Sequence, residues 1–147
     1  MEQKYKNQLR EIKKNRLDRE EKERQIRLLT ENEYKNISKQ FWPRISKVCR
    51  EFALSAGRDC REDNETTTIN TKFYVTKNRC RIGYSVGESI SYPVEVHLVT
   101  QCSSDNKLCS YVYIDPSFEF GTQPSYIYIN QFTEELLITK LREAMKV

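Results

Sequence analysis

Residues 109–130, CSYVYIDPSFEFGTQPSYIYIN, contain two runs in which tyrosine alternates with an aliphatic residue, at 111–114 and 126–129. Side chains two positions apart lie on the same face of a β-strand. Each run therefore predicts a strand with one aliphatic side and one tyrosine side. The aliphatic side can pack into a core, and this leaves the tyrosine side as the first candidate for a contact surface.

Three further strands are predicted before this stretch. Residues 69–76, 79–86 and 92–101 are rich in β-branched and aromatic residues, and turn-forming residues such as Lys77-Asn78 separate them. With the two tyrosine runs, they predict a five-stranded antiparallel sheet in meander order. The polar segment 58–68, RDCREDNETTT, is predicted to be a loop.

The cysteines bear on how the third and fourth strands pair. A disulfide between Cys102 and Cys109 would fit a register in which facing residue numbers have an odd sum. An even sum instead places the valines at 94 and 96 beside aliphatic partners, which is the better hydrophobic match. We therefore predict the even register, with all five thiols reduced.

Alternation assigns every strand residue to one of two sides of the sheet. The aliphatic side comprises Ile69, Phe73, Val75, Cys80, Ile82, Tyr84, Val86, Val94, Val96, Leu98, Leu108, Val112, Ile114, Ile127 and Ile129. The opposite side comprises Lys72, Tyr74, Arg79, Arg81, Glu95, His97, Val99, Tyr111, Tyr113, Tyr126 and Tyr128.

Two amphipathic helices are predicted to cover the aliphatic side. Thr30 and Glu33 form a capping-box pattern, which predicts a helix over 31–56 that continues through Pro43 with a kink. Gly57 is at the position of a C-terminal cap. A second helical stripe runs over 132–146. Helices on one face of an antiparallel sheet give an α+β fold.

Residues 1–29 predict a separate charged helix, followed by a single α+β domain over 30–147. The net charge of +4 lies entirely within residues 1–28, and residues 1–16 alone hold six basic and two acidic side chains. Tyr5, Leu9 and Ile12 align as a short apolar stripe. The stripe continues into Arg16, Arg19 and Glu23, which do not pack as core residues, so we expect no sustained homodimeric coiled coil.

No motif for catalysis, metal binding or nucleotide binding is found. The cysteine spacings do not match a zinc site, and no glycine-rich phosphate loop occurs. Glu95 and His97 share a predicted face with Cys109, but a Cys–His pair would require a contact across strands that the sequence does not establish. We predict no enzymatic activity, no cofactor and no metal.

The tyrosine side has three interpretations. Cross-strand tyrosine pairs stabilise sheets, tyrosine and arginine are enriched at protein interfaces, and aromatic rings beside basic residues bind single-stranded nucleic acid. We favour a non-catalytic binding or adaptor protein with a protein partner, and keep single-stranded RNA or DNA as the alternative. The apolar stripe favours protein, because phosphate contacts do not require it. The predicted contact residues are Tyr5, Leu9, Ile12, Lys13, Arg16, Tyr74, Arg79, Arg81, Tyr111, Tyr113, Tyr126 and Tyr128.

The location of the protein is predicted from what the sequence lacks. No apolar run reaches the roughly 18 residues that a membrane-spanning helix needs, so no membrane contact is expected. No secretory signal is visible, because basic residues near the start are not followed by an apolar segment. A cytoplasmic location is the resulting expectation.

Overall fold

A computed structural model describes residues 2–64, 74–86, 89–103, 105–116 and 123–147. The elements, in chain order, are helix α1 (Glu2–Ser55), strands β1 (Asp59–Asp63), β2 (Tyr74–Val75), β3 (Arg79–Val86), β4 (Ser89–Cys102), β5 (Leu108–Pro116) and β6 (Ser125–Tyr128), a 3-10 turn (Ile129–Gln131) and helix α2 (Glu134–Met145). Two helices pack against an antiparallel sheet, so the predicted α+β class is confirmed.

The sheet has the strand order β1-β3-β4-β5-β6, and β2 pairs with β4 beyond the end of β3. Val75 faces Thr100 whereas Arg79 faces His97, so β2 and β3 follow one another along the same edge of β4. The predicted hairpin turn at Lys77-Asn78 is therefore wrong. The predicted loop at 58–68 is also wrong in its first part, where β1 forms the edge of the sheet.

The predicted register of the two central strands is confirmed. Val94 faces Pro116 and Leu98 faces Val112, so every facing pair of β4 and β5 has an even sum. The aliphatic side of the sheet forms the core together with both helices. Its buried strand residues are Val75, Cys80, Ile82, Val94, Val96, Leu98, Val112, Ile114 and Ile127. The predicted positions Ile69, Lys72 and Phe73 lie outside the described residues.

Helix α1 is one element and does not begin again at Thr30. Thr30 is fully buried, and its hydroxyl donates to the Ile26 carbonyl one turn earlier, so it lies inside the helix and does not cap it. The prediction of a helix start at this position is wrong because burial of the threonine outweighs its capping preference. The helix continues through Pro43, as predicted, and ends at Ser55; Gly57 follows it, and its φ of 67° fits a C-terminal cap.

Glu62 of β1 holds the edge of the sheet to α1. Its carboxylate accepts hydrogen bonds from Trp42 Nε1 at 2.7 Å, Ser46 Oγ at 2.6 Å and Arg50 Nη1 at 3.1 Å. Burial alone would raise the pKa of Glu62, but the hydrogen bonds and the charge of Arg50 outweigh it and hold the pKa below 4.5. The carboxylate is thus more stable as an anion in the folded protein.

We expect Glu62→Gln to lower the free energy of unfolding at pH 7 by about 1–3 kcal/mol, because charge-assisted hydrogen bonds are lost. A lowered pKa in the folded state stabilises the fold above pH 4.5, and this contribution disappears as the pH falls through the folded-state pKa. Urea unfolding from pH 7 to pH 3 should show the two stability curves converging at acid pH. Glu51→Gln, at an exposed position on α1, is the matched control. A constant difference across this pH range would contradict the assignment.

Gly83 lies where the β3–β4 register shifts, and the backbone of β4 lies against it. A Cβ atom at this position would lie 1.8 Å from the carbonyl oxygen of Ser91. We expect Gly83→Ala to reduce the free energy of unfolding by at least about 2 kcal/mol, measured by chemical denaturation. Gly57→Ala, which has open space but a positive φ, should cost only about 1 kcal/mol. Equal losses for both variants would show that the close approach is relieved by movement of β4.

Candidate functional site

The first part of α1 extends beyond the sheet as a projecting helix, which we define as residues 2–22. Every residue in this range is exposed, and at 1.5 Å per residue the segment is about 30 Å long. Tyr5, Leu9 and Ile12 are 64%, 50% and 64% exposed. Lys13 and Arg16 are also exposed, so the five predicted contact residues of this helix lie together on an accessible surface.

The apolar stripe of the projecting helix continues the stripe with which α1 packs on the sheet. At 100° per residue, Tyr5 and the buried Tyr34 point in directions that differ by roughly 20°. Tyr34 is fixed on the sheet side because its hydroxyl donates to Asn78 Oδ1 at 2.7 Å and accepts from the amides of Lys77 and Asn78. The exposed stripe therefore faces the same side as the sheet, beyond the sheet's end.

The tyrosine face is the side of the sheet opposite the helices, and we define it by Tyr74, Tyr111, Tyr113, Tyr126 and Tyr128. Tyr111 faces Tyr128 and Tyr113 faces Tyr126 across β5 and β6. Ring centroids are 5.1 Å apart for Tyr113–Tyr126, 5.5 Å for Tyr111–Tyr126 and 6.1 Å for Tyr111–Tyr128. These are distances at which tilted and edge-to-face rings attract one another.

Exposure differs across the tyrosine face. Tyr126 and Tyr128, on the last strand of the described sheet, are 54% and 48% exposed, whereas Tyr111 is only 9% exposed. The Tyr111 hydroxyl donates to Gln101 Oε1 at 3.1 Å, and burial raises its pKa. Val99, on the same side, is fully buried. The centre of this face is thus a packed layer, and the rings of β6 are its accessible part.

The two arginines predicted to make this face positive are engaged within the protein. Arg79 contacts Asp63 at 3.1 Å and Glu95 at 3.0 Å, and Arg81 Nε lies 3.0 Å from Asp63. The Arg81 guanidinium also lies over the Tyr92 ring, 5.1 Å from its centroid. Both guanidinium groups are therefore paired with carboxylates, which reduces the positive character expected of the face.

Asp63 is the residue that sequence reasoning missed, because it lies in the segment predicted to be a loop. Alternation in 59–63 places Arg61 and Asp63 on one side of the strand and Cys60 and Glu62 on the other. A half-buried Cys60 beside the core and a carboxylate pointing towards α1 are consistent with this alternation. This alternation could have predicted a strand from the sequence. The segment was predicted to be a loop because nearly all of its residues are polar.

His97 and Cys109 are not brought together. His97 faces Tyr113, whereas Cys109 faces Gln101. Gln101 lies four positions from His97 along β4, which is about 13 Å. Glu95 is close to His97, with its Oε1 4.0 Å from His97 Nε2. All five cysteines are free thiols. Within the described ranges, no group of three or more His, Cys, Asp or Glu side chains is placed to hold a metal ion.

Burial lowers the pKa of His97 below 6.5, and the opposing charge of Glu95 does not compensate. When a histidine has a lower pKa in the folded state than in the unfolded chain, the unfolded chain binds the proton first as the pH falls. The free energy of unfolding therefore decreases between the unfolded-state pKa and the folded-state pKa. We expect folded-state stability to decline below pH 6.5 in part through His97, and His97→Gln to weaken that decline. NMR titration of the imidazole should give a midpoint below 6.5, and a midpoint above 6.5 would contradict the burial effect.

Comparison of the chain with protein-family models, with curated proteins and with solved structures finds no match. Neither α1 nor α2 contains a stretch long and apolar enough to cross a membrane, among the residues that the structure describes.

Proposed function

We propose that the protein is a non-catalytic binding or adaptor protein, which holds a protein partner through its projecting helix and its tyrosine face. The observation that carries the proposal is the exposed stripe of Tyr5, Leu9 and Ile12, on the part of α1 that extends past the described strands. The same face of α1 is buried further along the chain, where the sheet covers it.

A docked partner would stabilise the projecting helix. In proteins most of the stability of a helix comes from packing of its apolar face, and the apolar stripe of the projecting helix is exposed. Burying one large apolar side chain contributes about 1.5–3 kcal/mol. Three such side chains on one face therefore provide enough free energy to offset much of the ordering cost of association.

The tyrosine face supports the proposal as a second contact. Tyr126 and Tyr128 expose about half of their surface on neighbouring positions of one strand side, and tyrosine is enriched where protein interfaces concentrate their binding energy. Nucleic acid remains the alternative partner, supported by the six cations among residues 1–16. We favour protein, because Arg79 and Arg81 are already paired with carboxylates, which leaves less positive charge beside the tyrosines among the residues that the structure describes.

The test compares two double variants of the full chain as baits in quantitative affinity capture. Leu9→Ala with Ile12→Ala removes apolar surface from the stripe, while Gln3→Ala with Asn7→Ala alters the opposite face of the helix. Alanine is the strongest helix former, so neither variant weakens the helix intrinsically. We expect the stripe variant to bind its partner at least tenfold more weakly than the control does, which corresponds to a loss of about 1.4 kcal/mol or more of binding free energy.

Equal capture by both variants would overturn the proposal. Titration with single-stranded RNA at low and high salt tests the alternative. Binding that falls steeply with salt and weakens in Tyr128→Ala would favour nucleic acid over a protein partner.

A further inference from the structure

The exposed stripe belongs to a longer pattern, which we call the heptad seam. Its positions are separated alternately by four and three residues, which is the spacing of the a and d positions of a coiled coil. Positions a are Leu9, Arg16, Glu23 and Thr30, and positions d are Tyr5, Ile12, Arg19 and Ile26.

The seam passes from solvent to the sheet along its length. Its positions up to Arg19 are exposed, Glu23 and Ile26 are half-buried, and Thr30 is fully buried. At this junction a cleft is lined by Lys22, Gln25, Ile26, Leu29 and Asn106, so the helix meets the β4–β5 turn here. About two heptads of the seam are thus open to another chain, and an occupant would end beside the turn.

We propose that a helix of a different protein chain, with an acidic surface, pairs with this seam to form a two-stranded coiled coil. The inference rests on the proposed function, since it specifies which partner the projecting helix takes. The charges of the side chains inside the seam and of those that flank it favour an acidic partner over a second copy of this chain.

A second copy of this chain fits the seam poorly. In a parallel pair each a or d residue faces its own counterpart, which would bring Arg16 against Arg16 and Arg19 against Arg19 in the interior. The like charges of these arginines repel one another in the interior. Position g of one helix lies near position e of the next heptad of its partner, and in the open heptads these pairs, Gln8 with Lys13 and Asn15 with Glu20, join no opposite charges that would offset the repulsion.

A helix with carboxylates fits the same positions well. The positions that flank the exposed seam on the e side are Lys6 and Lys13, with Glu20 at its end beside Arg19, and those on the g side are the neutral Gln8 and Asn15, followed by Lys22. Glutamates on the partner would pair with these lysines at the rim and with the two seam arginines inside. Arg16 has a weak local partner, Glu20, at 3.7 Å with both side chains more than half exposed, and this contact is easily exchanged.

Two synthetic peptides test the inference against the full chain. Both carry leucine and isoleucine at their a and d positions, with glutamate at the two core positions that would face Arg16 and Arg19. One has glutamate at all e and g positions, and the other has lysine there. Isothermal titration calorimetry at low salt should show at least tenfold tighter binding of the glutamate peptide, in a 1:1 complex, with affinity that falls as salt rises.

Variants of the chain sharpen this test. Arg16→Glu with Arg19→Glu should weaken binding of the glutamate peptide at least tenfold, whereas Arg16→Lys with Arg19→Lys should retain it within about threefold. Sedimentation velocity should show the chain alone as a monomer at tens of micromolar. Equal affinity for the two peptides, no binding of the glutamate peptide, or a stable homodimer would each overturn the inference.

These outcomes are distinguishable from failure of the proposed function. If the glutamate peptide does not bind but captured partners still depend on Leu9 and Ile12, the helix is a docking element of another kind, and only the coiled-coil inference is wrong. If capture is also independent of Leu9 and Ile12, the proposed function itself is wrong.

Discussion

Ile45 and Val48 of α1 are buried with Ile82 and Val96 in one aliphatic layer between the helix and the sheet. This layer fixes which face of α1 points at the sheet, and with it the direction in which the stripe of the projecting helix faces. Because the helix is continuous, fixing its second half also fixes the direction of its first half. Glu62 adds a polar clamp at the edge, where hydrogen bonds from α1 hold β1 in place.

On the opposite side of the sheet, carboxylates beside the arginines change the charge of the surface. Tyrosines and arginines alone describe a cationic aromatic platform, which suits phosphate-bearing ligands. The carboxylates of Asp63 and Glu95 offset part of this positive charge, and their ion pairs with Arg79 join neighbouring strands. The rings of Tyr126 and Tyr128 remain exposed, and tyrosine is a residue type enriched where protein interfaces concentrate their binding energy.

Much of this architecture could be predicted from periodicity. Two-residue alternation identified β3 to β6 and the register of β4 with β5, because a shift by one residue would have turned Val94, Val96 and Leu98 away from the core. The apolar stripe of the projecting helix was predicted in the same way, from a helical period, and its exposure agrees with the expectation of an extended helix.

The failures have a common physical origin, which is that local chemistry was outweighed by long-range packing. Thr30 matches the sequence pattern of a helix start, yet it is buried inside α1. Residues 59–63 are polar, yet hydrogen bonds to α1 and ion pairs across the sheet make them a strand. The pairing of β2 with β4 depends on contacts between distant parts of the chain, which turn propensity at Lys77-Asn78 does not encode.

The unbroken course of α1 imposes a phase relationship on the molecule. One inserted residue between Arg19 and Ile26 would rotate the apolar stripe by about 100° relative to the sheet, and seven inserted residues would nearly restore it while moving it outwards by about 10 Å. A partner bound to the projecting helix is consequently held at a fixed rotation about the helix axis relative to the sheet. The length of the segment between the partner and the sheet is thus constrained in steps of whole heptads, even though its individual side chains face water.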